Sequence, residues 1–309
     1  MKKILFILLS LTLITSCDNE PIDPELTGET GGNNGGGNNG NTSEEFLALS
    51  SYSYNTNTNV PFFGEIVVDI DYTFNSDNLL DGFITDSPVF GQEIITNTTV
   101  TRDANNNIIE TNTYYQGSLS DVTTITYNGS GQITQIAYND IESDDEDYEF
   151  NYTYSGSEIT KTEVGSDIVT VYTFNGNGRL VKKESFINDS SIQLEILNYD
   201  SNGNVVSSVM SGEINTTSSY IYDSNDNPLL EPFQARDQYS IIGDYYDDQS
   251  GNSIAHFGGS NNWTGVISDS SEYNFTITYD SDNRILTRNG SFGDAEVQIS
   301  QDEIFTYVN

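Results

Sequence analysis

Residues 197–208 read LNYDSNGNVVSS, and close variants recur along the chain as YTFNSDNLL, TYNGSGQIT, YTFNGNGRLV, YIYDSNDNPLL and TYDSDNRILT. Each centres on an Asn or Asp: Asn75, Asp103, Asn128, Asn175, Asp200, Asp223, Asp248 and Asp280. Three positions later stand Asn78, Asn106, Gly131, Gly178, Gly203, Asp226, Gly251 and Asn283. The first residue suits the opening of a type I turn, because its side chain can accept hydrogen bonds from backbone N–H groups ahead. The later one is Gly, Asn or Asp, the residues that best tolerate a left-handed backbone. A type I turn followed by a left-handed residue closes a β-hairpin with the right strand twist. Each stretch therefore predicts a hairpin turn, with Ser155-Gly156-Ser157-Glu158 as a shorter variant.

Strand patterns flank the turns. Val68/Ile70/Tyr72/Phe74, Tyr148/Phe150/Tyr152/Tyr154 and Tyr273/Phe275/Ile277/Tyr279 alternate with Thr, Asp, Asn and Glu. A period of two places each aromatic set on one strand face and leaves the other to water. Successive anchors, counting Ser155, lie 20 to 32 residues apart, room for two strands and two turns. The expected fold is all-β: an antiparallel up-and-down meander of about nine hairpin repeats, a curled sheet or a closed barrel-like shape. No helix is expected after the leader.

Tyr199-Asp200-Ser201-Asn202-Gly203-Asn204 resembles the core of a YD repeat, as found in RHS-type proteins, and Tyr222-Asp223 and Tyr279-Asp280 match it in part. RHS proteins carry many more repeats and enclose cargo, a role not carried over here. The chain is more similar to small tethered lipoproteins of unknown function whose YD-like hairpins form a porin-like curved sheet. That resemblance implies a fold and a location and no particular activity.

The location has its own signal. Residues 1–17, MKKILFILLSLTLITSC, join two lysines to a short apolar run, the pattern of a signal peptide. Ile14-Thr15-Ser16-Cys17 resembles a lipobox, whose cysteine receives lipid in bacterial lipoproteins. Cys17 is the lone cysteine, so its lipidation leaves no thiol for a disulfide, a metal or a nucleophile. Each buried CH₂ adds about 0.8 kcal/mol, so several acyl chains make a firm anchor. Residues 18–45, rich in Gly, Asn and acids, read as a flexible tether spanning roughly 30 Å, and 46–309 as a single β domain. Acids just after Cys17 loosely resemble an export signal to the outer membrane surface, and the expected location is the outer membrane, lipid-anchored and surface-exposed.

Composition narrows the partners. The formal charge of −37 repels nucleic acid and anionic headgroups. It suits cations, basic partners or plain solubility. A single histidine, His256, argues against a His-rich metal centre and a Ser-His-Asp triad. The run DIESDDED at 140–147, with Asp144, Asp145, Glu146 and Asp147, is the strongest cation candidate by charge, for Ca²⁺ if any; the favoured reading is a solvated hairpin loop. Residues 253–265, SIAHFGGSNNWTG, depart most from the repeat and hold His256 and the lone tryptophan, Trp263. An exposed Trp is a platform for a sugar ring, and a buried one caps a core. The expectation is a non-catalytic module binding a glycan or an extracellular protein. The alternatives are a structural envelope component and an acidic-pair glycoside hydrolase.

Overall fold

The computed structural model describes residues 47–60, 64–88, 93–143, 146–269, 271–293 and 298–308; residues 1–46, with the leader, Cys17 and the tether, lie outside them. The strands run β1 (Leu49–Val60), β2 (Gly64–Phe74), β3 (Leu80–Asp86), β4 (Ile95–Arg102), β5 (Ile108–Tyr115), β6 (Ser118–Tyr127), β7 (Ile133–Asp140), β8 (Tyr148–Ser155), β9 (Glu158–Glu163), β10 (Ile168–Phe174), β11 (Leu180–Ile187), β12 (Ser190–Tyr199), β13 (Val205–Gly212) and β14 (Thr216–Asp226). Two helices come next, α1 (Leu230–Gly243) and α2 (Ser250–His256). The chain then resumes with β15 (Asn261–Ser268), β16 (Ser271–Asn274), β17 (Thr276–Tyr279), β18 (Ile285–Gly293) and β19 (Gln298–Tyr307).

The strands form one antiparallel meander of 19 strands that comes back on itself, since β1 pairs with both β2 and β19. β16 and β17 are two pieces of one strand parted at Phe275; the first pairs with β15 and the second with β18. The result is a nearly closed barrel, which removes the exposed edges a long open sheet would carry.

The turns behave as their chemistry dictates. Asp200 Oδ1 accepts from the N–H groups of Asn202 at 2.9 Å, Gly203 at 2.8 Å and Asn204 at 2.9 Å. Asn75, Asp103, Asn128, Asn175 and Asp280 each accept from the N–H groups two and four residues ahead in their own turns. Asn78, Asn106, Gly131, Gly178, Gly203 and Asn283 all have positive φ. These turns come after alternate strands of the meander, so they share one end of the barrel, hereafter the turn end.

The tyrosine before the anchor has a specific task. Tyr127, Tyr154, Tyr199 and Tyr222 donate their hydroxyls to the carbonyls of Ile108, Ile133, Leu180 and Val205, at 2.7–2.9 Å, and Tyr307 at the end of β19 does the same for Ile285 at 2.9 Å. Each bond ties one hairpin to the previous one. Arg102, out of pattern in the sequence, supplies the equivalent bond from Nη2 to the Leu80 carbonyl at 2.7 Å. Tyr199→Phe should cost about 1 kcal/mol in unfolding free energy, and Arg102→Ala at least as much, because each leaves a carbonyl without its donor. Urea unfolding monitored by circular dichroism measures both; no change would remove the tie from the account.

The aromatic face points inward as the alternation requires, with Tyr52, Tyr54, Tyr72, Phe150, Tyr152, Tyr172, Tyr220 and Phe305 buried. The expected absence of helix is corrected. The Asp223 turn opens as an Asx turn, with Asn225 N–H on Asp223 Oδ1 at 2.9 Å, but the chain then continues into α1 and α2 instead of closing a hairpin. Asp248, read as another turn anchor, lies in the link between the helices. The apolar residues of the α1 segment gather at its two ends, Leu229 and Phe233 against Ile241 and Ile242, so no continuous stripe announces a helix.

This insert fills the lumen. Phe233 packs on Tyr72 and Tyr52, with ring centres 5.1 and 6.0 Å apart. Tyr152 and Tyr172 both donate to the Ile242 carbonyl, at 3.0 and 3.2 Å. Gly251 of α2 lies so close to β13 and β14 that a Cβ there would meet Ser208 Cβ at 2.5 Å and the Tyr220 hydroxyl at 2.6 Å. Strands all around the ring thus touch the insert with their inward side chains, which requires that it lie inside.

Candidate functional site

Charges buried in an apolar interior are costly unless paired, so they mark the places where structure or function demands them. Two such groups face the lumen.

The first surrounds Glu303. Arg288 on β18 sits directly across from Glu303 on β19. Its guanidinium donates twice to the carboxylate, Nε to Oε1 at 2.7 Å and Nη2 to Oε2 at 2.6 Å. The Tyr52 hydroxyl donates to Oε2 at 2.7 Å and Gln301 Nε2 to Oε1 at 2.5 Å. His256 Nε2 lies 3.1 Å from Glu303 Oε2 and 3.0 Å from the Tyr52 oxygen. Because the Tyr52 proton is already directed at Glu303, the network assigns the imidazole hydrogen to Nε2. Burial alone would raise the Glu303 carboxyl, but Arg288 and His256 hold it far below the ordinary carboxylate range. Burial pushes His256 below its usual value, with Glu303 offsetting only part, so the ring is neutral at pH 7. The Trp263, Phe275 and Phe305 rings stand 5.6–5.9 Å from the Arg288 guanidinium carbon.

The second group grips the insert from β9, β11 and β12. Lys183 Nζ donates to the carbonyls of Tyr245 at 2.6 Å and Asp248 at 3.0 Å, and Lys161 Nζ donates to the Asp244 carbonyl. These carbonyls lie just past the C-terminus of α1, where cations are favoured. Burial, then the neighbouring Lys183 cation, lowers the Lys161 amine to about 7. Glu195 accepts from the first N–H groups of α2, Ser250 and Gly251, each at 2.9 Å. At the turn end, Asn227 clasps the two ends of the insert, with Nδ2 on the carbonyls of His256 and Gly259, both at 3.1 Å.

Trp263 is only 6 % exposed, and its indole N–H donates to the Gly265 carbonyl at 2.8 Å. Of the two readings of Trp263, the structure has the buried one: β15 turns it inward beside His256, and the two rings are 5.8 Å apart. His256 is equally enclosed. Of the acidic run, Asp144 and Asp145 lie outside the described residues; Asp147 Oδ1 accepts from the Asp140 N–H at 2.8 Å and Glu146 N–H donates to the Ser143 carbonyl at 3.3 Å. Among the described residues no group of three or more His, Cys, Asp or Glu is arranged to hold a metal ion. A cleft at the turn end, lined by Arg179, Tyr199, Ile241 and Ile254 among others, has room for about one water molecule.

Sequence reasoning passed over Arg288, Glu303, Lys161, Lys183 and Glu195. One signal was available: Gln301/Glu303/Phe305/Tyr307 alternate in step, so Glu303 shares a face with the aromatic core. A charge in phase with core residues must have a buried partner.

No protein-family model and no curated protein matches the chain. Among solved structures, a porin-like protein from Bacteroides uniformis aligns with a TM-score of 0.47 at 16% identity, covering 84% of this chain and 96% of that one. A porin-like protein from Bacteroides vulgatus aligns with a TM-score of 0.27 at 11% identity, covering 82% of this chain and 97% of that one. The TcdB2-TccC3 complex without its hypervariable C-terminal region aligns with a TM-score of 0.30 at 15% identity, over 76% of this chain and 12% of that one. These distant likenesses assign the chain to no family.

Proposed function

We propose that the protein is a lipid-anchored, non-catalytic β module that binds or presents material at the outer membrane surface. The observation that supports this best is the lumen filled by the chain's own insert. The buried acids that a hydrolase would need are already engaged, Glu303 by Arg288 and Glu195 by the α2 backbone. What remains for function is the outer wall. The lipobox-like stretch ending at Cys17 and the tether after it supply the anchoring part of the reading.

Labelling of producing cells with radioactive palmitate tests the anchor. The wild-type chain should carry label and fractionate with outer membranes, and Cys17→Ala should lose the label completely. Protease treatment of intact cells should then degrade the domain. Label retained in Cys17→Ala, or full protection from protease, would overturn the anchoring or the surface placement respectively.

A further inference from the structure

The outer wall is polar over much of its extent, as in the cross-strand pairs Ser53 with Asp71 and Asn55 with Asp69 on β1 and β2. One region differs. On β3, Ile84 lies opposite Asn97 of β4, which lies opposite Tyr114 of β5, which lies opposite Leu119 of β6. Ile95 opens β4 across from Asp86, and Ile141, just past β7, donates its N–H to the Ser120 carbonyl at 2.8 Å. Ile84, Ile95, Leu119 and Ile141 are 45%, 43%, 37% and 50% exposed. With neighbouring strands about 4.8 Å apart, this row crosses roughly 19 Å of wall. It lies away from the turn end.

Charge is distributed to match. Asp71, directly across from Ile84, is exposed, as are Glu93 and Glu142 beside the row. None of the eight Lys and Arg residues among the described residues is there. Arg102, Arg179 and Arg284 adjoin the turns at the other end, Lys161, Lys183 and Arg288 are buried, Arg236 is on α1, and Lys182 on β11 pairs with Glu184.

From this we propose that the outer wall over β3–β7 is a docking surface for a cationic protein segment with interspersed apolar side chains. The apolar row is large enough to seat several such side chains, and the surrounding acids lack cations of their own. The same acids disfavour a second copy of this chain, which carries −37, as well as anionic lipid and nucleic acid. β1 starts at the turn end, so the chain preceding it joins the barrel away from this surface; in that respect the inference rests on the tethered reading above.

The test uses the full chain in zwitterionic nanodiscs and a fluorescent 14-residue peptide of alternating Leu and Lys, read by anisotropy against empty discs. Ile84→Ser/Ile95→Ser/Leu119→Ser should weaken binding at least tenfold. Ile196→Ser/Val209→Ser, an exposed pair elsewhere on the wall, should change it less than twofold. Thermal unfolding of both variants should match the parent, since all five positions face water. An oligo-Lys peptide of equal charge binding as well as the Leu-Lys peptide, or equal loss in the two variants, would overturn the proposal in favour of bulk ion attraction. Palmitate labelling is an independent readout: an unlabelled chain that still shows row-dependent binding overturns the anchor and upholds the docking surface.

Discussion

Glu303→Gln should lower the unfolding free energy by roughly 3–5 kcal/mol, because it leaves the Arg288 cation buried without its counter-charge. Both side chains are fully enclosed, and the pair is held by two bonds of 2.7 and 2.6 Å. Arg288→Met should cost a similar amount by stranding the carboxylate. The double variant Arg288→Met/Glu303→Leu should cost clearly less than either single one, since apolar replacement of a whole buried pair is often tolerated. Chemical denaturation of the wild type and the three variants compares these losses. A loss below about 1 kcal/mol for Glu303→Gln would mean that water or another cation reaches Arg288, and the filled lumen would have to be reconsidered. The pH dependence has a definite sign. The folded Glu303 carboxyl is held below its unfolded value, so its stabilisation is present at neutral pH and declines as pH falls below the ordinary carboxylate range.

Alkaline unfolding should be abrupt. Tyr52, Tyr152, Tyr172, Tyr199, Tyr220 and Tyr222 all have their hydroxyls raised far above 10, chiefly by burial. Unfolded tyrosines ionise near pH 10 while these stay protonated. A raised folded value contributes stability that is complete below pH 10 and lost as pH climbs beyond it. Each such group removes about 1.4 kcal/mol per pH unit, so six together remove on the order of 8 kcal/mol per unit. Net stabilities are roughly 5–15 kcal/mol, so the barrel should unfold within one to two units above pH 10. Lys161 acts oppositely between about 7 and 10.5: its folded amine is lowered, so the unfolded chain binds more protons and stability rises with pH in that window. The two trends together place a stability maximum near pH 9–10, and Lys161→Met should flatten the rise below it. Phenolate absorbance near 295 nm and the far-ultraviolet β signal should change together in one step. Gradual phenolate formation in an intact barrel would show that these hydroxyls meet solvent.

Much of this architecture is legible in local chemistry. The Asx turns need only Asp200 or Asn75 and the N–H groups two to four residues ahead, so sequence neighbours suffice to specify them. The inward aromatic face needs only the alternation of Tyr52 with Tyr54 or Phe150 with Tyr152. The insert is not legible in this way. YDSNDN at 222–227 begins like the other turns, and residues 227–260 turn inward because a ring of strands leaves a lumen to fill. Trp263 shows the same limit: an isolated Trp in a glycine-rich loop fits a surface platform or a core cap, and burial by β15 decides between them.

The sequence by itself determined the turn chemistry, the strand period and therefore an antiparallel meander with one aromatic face, because those arise from contacts within a few residues. Only the tertiary structure decided that β1 meets β19, that residues 227–260 occupy the lumen, and that Arg288, Glu303 and His256 converge. Those outcomes depend on pairings across more than 250 positions, such as Tyr52 with Glu303, 251 apart, and on apolar and charged groups finding partners that no local pattern names.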